Sequence, residues 1–288
     1  HFDWSRPNQA YWDRAAAMCR AAVEHGIRPA LVLMWCNYVP GTWGAKIAEH
    51  CGAEVMPREE VRAHVARVVE NLGEFDPAYV VTGDTDFTSD EAIAYYEDAL
   101  DEVIKRAPEA LRTMHINRGN RTIPSQYLER LDFYMFQPGH NYEGQPEAWR
   151  LPQDFIANYP KKPMVNSEPC YEQMGASRNV YWRFTAQDCR ASVWSSILAG
   201  ASAGVTYGAH GVWNWQTSKS QGSVLGEGFD MPFRWQECLQ FAGVWDFGAI
   251  EHVLAGLGAT AGDDALAVVP AQAVSYTHLR AHETRGNL

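Results

Sequence analysis

KKPMVNSEPCYE, residues Lys161–Glu172, decides how the chain is read. A short apolar run, Pro163–Val165, leads into polar residues, and Glu168 then stands directly before Pro169, which has no backbone N–H to continue a ladder. The pattern is that of a buried strand stopping at a rim. It leaves an acid where pairing ends, with Tyr171 near enough to offer a ring or a hydroxyl to a ligand. Tyr79–Phe87 (YVVTGDTDF) repeats the design, because a β-branched run closes on Gly83 and Asp84. Two strand-end acids far apart in sequence are what a pair of cooperating carboxyl groups requires.

Outward from these two stretches, strand and helix patterns alternate. Asn8 opens a helical pattern reaching about His25, with Tyr11, Ala15, Met18 and Ala22 expected on the buried face and Gly26 as the stop. Arg28–Trp35 is a continuous apolar strand of the doubly covered kind, followed by a loop over 36–56 that carries Asn37, Tyr38 and Trp43. Helices are predicted from Pro57 to Leu72 and from Ser89 to Arg106, then strands over Leu111–Asn117 and Leu131–Gln137 with a helical turn near Pro124 between them. Pro138–Trp149 reads as an aromatic loop. A short helix over Gln153–Asn158 precedes the Glu168 strand, Thr185–Leu198 is a helix with Cys189, Val193 and Ile197 inward, Val205–Gly208 is a sixth strand and Pro232–Val244 is helical.

Six such alternations predict βα units on a parallel sheet. No G-x-G-x-x-G follows a first strand, and polar and aromatic residues collect at every strand exit, so a closed barrel is favoured over a doubly wound sheet. The expected fold is therefore an α/β, (β/α)8 TIM barrel lacking its first two strands, over residues 1–258. On that count Trp35 ends the third strand, Asp84 the fourth and Glu168 the seventh. Residues 259–273 are expected to begin a C-terminal β segment. Residues 274–288 have no period and resemble the read-through tails that end reading frames in environmental sequence assemblies, so they are expected to be non-native.

The 288 residues carry a formal charge of −11, which argues against nucleic acid as a partner, and 46% hydrophobic content, enough for one large core. No apolar run is long enough to span a membrane. Six Cys occur without a C-x-x-C pair, so neither a zinc ribbon nor a thioredoxin-like site is indicated. Eleven Trp, thirteen Tyr and eleven Phe are a heavy aromatic load, and those in loops suit the partly apolar faces of sugars.

Glycoside hydrolysis uses two carboxyl groups flanking the scissile bond, and Glu168 as nucleophile with Asp84 as acid/base fits strand ends facing each other across a barrel mouth. Asp86 and Glu172 are substitutes close in sequence. An ion pair of Glu168 with Arg178 or Arg183, and a turn or cap role for Asp84, are the bland readings. Sugar contacts are expected from Trp35, Asn37, Asp86, His115, Asn117, Tyr134, Gln137, Tyr171, Tyr207, His210, Trp213 and Trp215. His115, His140 and His210 invite a metal reading, but none is paired with another His at ligand spacing, so no metal and no organic cofactor is expected. A non-catalytic carbohydrate-binding barrel and a metal-dependent amidohydrolase-type barrel remain as alternatives.

TGDTDF, NSEPCYE and CRASVWSSILAGASAGVTYGAHGVWNW together resemble the apiosidase-like glycoside hydrolase family, whose members have also been described as cellulases or collagenase-like proteins. The resemblance spans about residues 1–258 and implies a (β/α)8 barrel with the acid at Asp84 and the nucleophile at Glu168. It implies a carbohydrate substrate, such as a plant-type polysaccharide in bacterial glycan degradation, and a periplasmic or secreted full-length parent. The family pattern places two glycines before the acid where this chain has Thr82-Gly83.

Overall fold

The computed structural model describes Trp4 and residues 6–50, 52–177, 180–218 and 231–256. Arg178, the segment expected to begin a C-terminal β structure and the expected tail lie outside the described residues. The chain forms two compact units, His1–Met135 and Phe136–Leu288.

In the first unit, helix α1 (Gln9–Glu24) is capped by Asn8, whose side chain accepts from Ala10 N–H at 3.1 Å, and Gly26 leaves it at φ 73°. Its buried face runs through Trp12 and Cys19; Tyr11 and Met18, expected inward, are 63% and 67% exposed. The face is turned by one position because Trp12, not its neighbour Tyr11, packs its ring toward His64. Strand β1 (Ala30–Trp35) leads through a 3-10 turn, Cys36–Tyr38, to α2 (Trp43–His50), a helix where the sequence suggests only loop. Gly44 disguises it: a Cβ there would collide with the Cys36 sulfur, so the helix can pack only with glycine at that point. Helix α3 (Arg58–Leu72) follows Pro57 and carries Glu59 and Glu60 in its first turn, where they meet the positive end of the helix dipole.

Strand β2 (Ala78–Gly83) is buried along its whole length and pairs in parallel with β1, Ala30 opposite Ala78 and Trp35 opposite Gly83. Helix α4 (Asp90–Arg106) is capped by the Ser89 side chain, and β3 (Arg112–Thr113) pairs in parallel with β2 to give the sheet order β1-β2-β3. β1 is not covered on both faces as expected: Leu33 and Met34 are buried while Val32 and Trp35 are exposed. Val32 and Trp35 point to opposite faces, so each face of β1 is open at one position, and β1 stands at the end of the sheet order. The short α5 (Ser125–Leu128) precedes β4 (Tyr134–Phe136), whose last residue opens the second unit.

The second unit contains α6 (Glu147–Asn158), β5 (Met164–Asn166), an antiparallel hairpin of β6 (Gly175–Ser177) and β7 (Val180–Arg183), α7 (Ala186–Leu198), β8 (Gly204–Val205), α8 (Trp235–Cys238) and α9 (Gly243–Gly256). Its sheet runs β4-β5-β8, with Val165 opposite Gly204 in parallel. Helix α6 starts six residues before the expected Gln153, with Pro152 inside it. Proline there frees the carbonyl of Ala148, and the Ser196 hydroxyl from α7 donates to that oxygen at 2.7 Å. Helix α7 has a reciprocal Thr185/Asp188 capping box and buries Cys189, Val193 and Ile197 as expected. The helix expected over Pro232–Val244 is instead two, α8 and α9, because the buried carboxylate of Glu172 accepts the Gly243 N–H at 2.9 Å and so starts a new helix there. Among the described residues no helix is long and apolar enough to cross a membrane.

Candidate active site

The acid of the first unit is set by the end of β2. Gly83 lies under the Trp35 ring, which a Cβ would strike, and Asp84 then turns into the left-handed region at φ 58°. Two contacts hold that turn. The Trp43 indole N–H donates to the Asp84 carbonyl at 2.8 Å, and the Asp84 N–H donates to His115 Nδ1 at 3.2 Å. Since Nδ1 accepts, a neutral His115 has its hydrogen on Nε2. The ring is buried, stacked on Trp35 at 6.2 Å, and a nitrogen of it lies within 4.8 Å of an Asp84 carboxyl oxygen. The Thr82 hydroxyl donates to the His115 carbonyl at 2.7 Å, tying the two strand ends together.

The other sugar-contact candidates of this unit are more dispersed. Asp86 Oδ1 accepts from the Thr88 N–H and hydroxyl at 3.3 and 3.0 Å, the turn chemistry that its sequence suggests. Asn117 N–H donates to Thr85 O at 2.6 Å, and Asn37 Oδ1 faces the buried Cys36 thiol, which burial and then Asp84 and Asp86 push far up in pKa. Tyr134 is a fully buried side chain of β4.

The acid of the second unit is set by the end of β5. Asn166 is buried; its Oδ1 accepts the Glu168 N–H at 3.3 Å, while its amide donates to Ser196 Oγ at 2.8 Å and so reaches α7 and α6. Gly139 N–H donates to the Glu168 carbonyl at 3.2 Å, and Ser167 is fixed to Phe136 O by its N–H and its hydroxyl. On this backbone the Glu168 carboxylate meets His140, whose Nε2 lies 2.6 Å from Oε1. The His140 ring also packs 4.0 Å from Tyr171, whose own ring covers Gly208 so closely that a Cβ there would collide with it.

Glu172 faces inward. It accepts the Tyr207 hydroxyl at 2.6 Å along with Gly243 N–H, and burial first, then that carboxylate, raises the Tyr207 pKa well above its ordinary value. Gln137 is buried just past β4, and His210 is buried with its N–H on Glu172 O at 2.9 Å and its ring edge-on to Trp213. Trp215, at φ 49° and 59% exposed, stacks in parallel on Trp235 with 4.8 Å between ring centres. Arg183, named as a partner for Glu168, donates to the carbonyls of Gln173 and Met231.

The structure therefore brings Trp35, Asp84 and His115 together in one unit, and Glu168 and Tyr171 together in the other. Tyr207 joins Glu172, and Trp215 joins Trp235. The sequence reading did not single out His140 as a partner of Glu168, because a histidine between Gly139 and Asn141 looks like any loop histidine. Nor did it single out Trp235.

Residues 1–260 match the model of a family described as the apiosidase-like catalytic domain. Among solved structures, a glycoside hydrolase family 5 protein from Bacteroides vulgatus is similar at TM-score 0.69 and 23% identity, over 85% of this chain and 52% of that one. A protein described as a glycoside hydrolase is similar at TM-score 0.66 and 20% identity, over 85% of this chain and 55% of the other. The chain thus spans about half the length of these two structures. No curated protein sequence matches it.

Proposed function

The chain belongs to the apiosidase-like catalytic-domain family, and from that premise we propose that it carries the two catalytic carboxyl groups of a retaining glycoside hydrolase acting on a complex, plant-type glycan. Glu168 is the nucleophile and Asp84 the general acid/base. The observation that carries the reading is the setting of Glu168: a carboxylate at a strand exit, its backbone locked by Asn166 and Gly139, with a ring nitrogen 2.6 Å from Oε1. The fold that goes with it is a (β/α)8 barrel, to which β1, β2, β3, β4, β5 and β8 contribute as third to eighth strands. In that count β6 and β7 form an insertion.

In the first step a Glu168 oxygen attacks the anomeric carbon, the bond from that carbon to the leaving oxygen breaks, and the Asp84 carboxyl gives that oxygen its proton. Water then attacks the same carbon, Asp84 takes the water's proton, and the Glu168 ester opens to release the sugar. Retention requires the two carboxyl groups about 5–5.5 Å apart, inversion about 6.5–9.5 Å. Trp35, His115, Tyr171, His210, Trp213 and Trp215 would line the sugar site.

The test is a panel of aryl glycosides with the full-length protein. Glu168→Ala abolishes turnover, and added azide restores it on activated substrates, giving a glycosyl azide of inverted configuration. Unchanged hydrolysis by Glu168→Ala rules out the assignment. Binding on a glycan array with no turnover of any substrate replaces it with a sugar-binding role.

A further inference from the structure

His140 is held at three points by the segment that follows β5. Its Nδ1 is 3.1 Å from the Pro169 carbonyl oxygen, which can only accept, so Nδ1 carries a hydrogen. Tyr171 packs against the ring at 4.0 Å. Nε2 is thereby aimed at Glu168 Oε1, 2.6 Å away. A carboxylate offers only lone pairs, and an imidazole that has spent its hydrogen on Nδ1 offers a lone pair as well. The close approach therefore needs a second proton between Nε2 and Oε1.

We infer that His140 is a positioning residue for the nucleophile: the His140–Glu168 pair shares that proton, and the hydrogen bond fixes the carboxylate plane and hence the direction from which Oε2 attacks. This rests on the assignment of Glu168 as nucleophile. The proton belongs to the pair throughout. As Glu168 becomes an ester it loses its negative charge, and the hydrogen bond to Oε1 weakens; as the ester opens, the bond is restored. The ring neither touches the leaving group nor transfers a proton to it, so Asp84 keeps the whole of the acid/base role.

Two measurements on the full-length protein test this. The first needs no turnover: long-range 1H–15N spectra of the wild type and Glu168→Gln report which His140 nitrogens carry hydrogen. With the carboxylate gone, Nε2 moves to the lone-pair position while Nδ1 stays protonated. An Nε2 resonance unmoved by Glu168→Gln overturns the inference.

The second uses the best aryl glycoside of the panel. His140→Phe lowers kcat on the order of 100-fold, the scale of a misplaced reacting group, while KM stays within about threefold. His140→Gln, whose amide N–H can replace Nε2–H, recovers a substantial part of that loss, with both variants unfolding within a few degrees of wild type. If Glu168→Ala is dead and azide-rescued but His140→Phe keeps wild-type kcat, the hydrolase reading stands and this inference alone falls. If Glu168→Ala remains active, both fall together.

Discussion

The end of β2 and the end of β5 each set an acid beside a histidine, and the two histidines are oriented in opposite senses. His115 spends its Nδ1 lone pair on the Asp84 N–H, whereas His140 gives its Nδ1 hydrogen to Pro169 and turns Nε2 toward the Glu168 carboxylate. The first arrangement places the turn that carries Asp84 without bringing an obligatory cation to its carboxyl group. The second turns a ring nitrogen onto the Glu168 carboxyl group at hydrogen-bond distance and orients it. Two side chains of nearly the same chemistry thus meet different ring nitrogens, a difference that suits the different tasks proposed for them. A general acid must give up a proton to the leaving oxygen, whereas a nucleophile must present an oxygen lone pair in a fixed direction.

The largest effects come from the acids themselves, and the leaving group separates them. Glu168→Ala lowers kcat about 10⁴-fold or more on every aryl glycoside, because no leaving group compensates for a missing nucleophile. Asp84→Ala lowers kcat/KM that far only where the departing phenol is a poor leaving group and leaves it nearly intact on dinitrophenyl glycosides, which depart without protonation, while kcat on these falls through the slower second step, in which Asp84 takes the water's proton. Equal losses across the leaving-group series would erase the distinction between the two ends.

A smaller effect sharpens the same contrast. His115→Leu removes the acceptor that places Asp84, so the expected loss of kcat/KM is about tenfold and confined to poor leaving groups. A uniform loss across the series would mean that His115 serves the sugar rather than the acid.

Each acid also depends on a glycine that lets an aromatic ring lie flat on the backbone: Gly83 under Trp35 and Gly208 under Tyr171. Either change to Ala puts a methyl into an occupied ring and costs roughly 1–3 kcal/mol of stability, measured by urea unfolding. The losses differ in their functional signature. Gly208→Ala displaces the ring that packs on His140 and lowers kcat on all substrates, while Gly83→Ala disturbs the ring stacked on His115 and shows most on poor leaving groups.

The strand ends were legible because β-branched or apolar runs stop at Gly83-Asp84 and at Glu168-Pro169, where the chain cannot continue a ladder. What sequence missed has local causes. Gly44 and Pro152 look like breakers, yet one is where α2 packs on a sulfur and the other has its orphaned carbonyl bonded by Ser196. The hairpin of β6 and β7 is too short to display a period. The orientation of His140 has no sequence signal at all, since Pro169, Glu168 and Tyr171, which it meets, come from a segment about thirty positions away. Nothing in the residues around Tyr207 shows that Glu172 takes its hydroxyl.

The smallest effect concerns the scaffold under the Asp84 end. His64 of α3 lies against β1 with Nε2 3.2 Å from the Leu33 carbonyl; burial, followed by nearby Arg67, lowers its pKa despite that hydrogen bond. Above the unfolded value of about 6.5 both states leave the ring neutral, and His64 adds no pH dependence. As pH falls below it, the unfolded chain takes up a proton that the folded unit refuses, so stability declines until the lower folded value is reached. The slope for one group is at most about 1.4 kcal/mol per pH unit. His64→Gln can still donate to Leu33 and cannot titrate, so its urea midpoint falls less between pH 7 and pH 5 than that of the wild type. Coincident slopes would place the acid sensitivity elsewhere and leave β1, with Trp35 at its end, equally firm at both pH values.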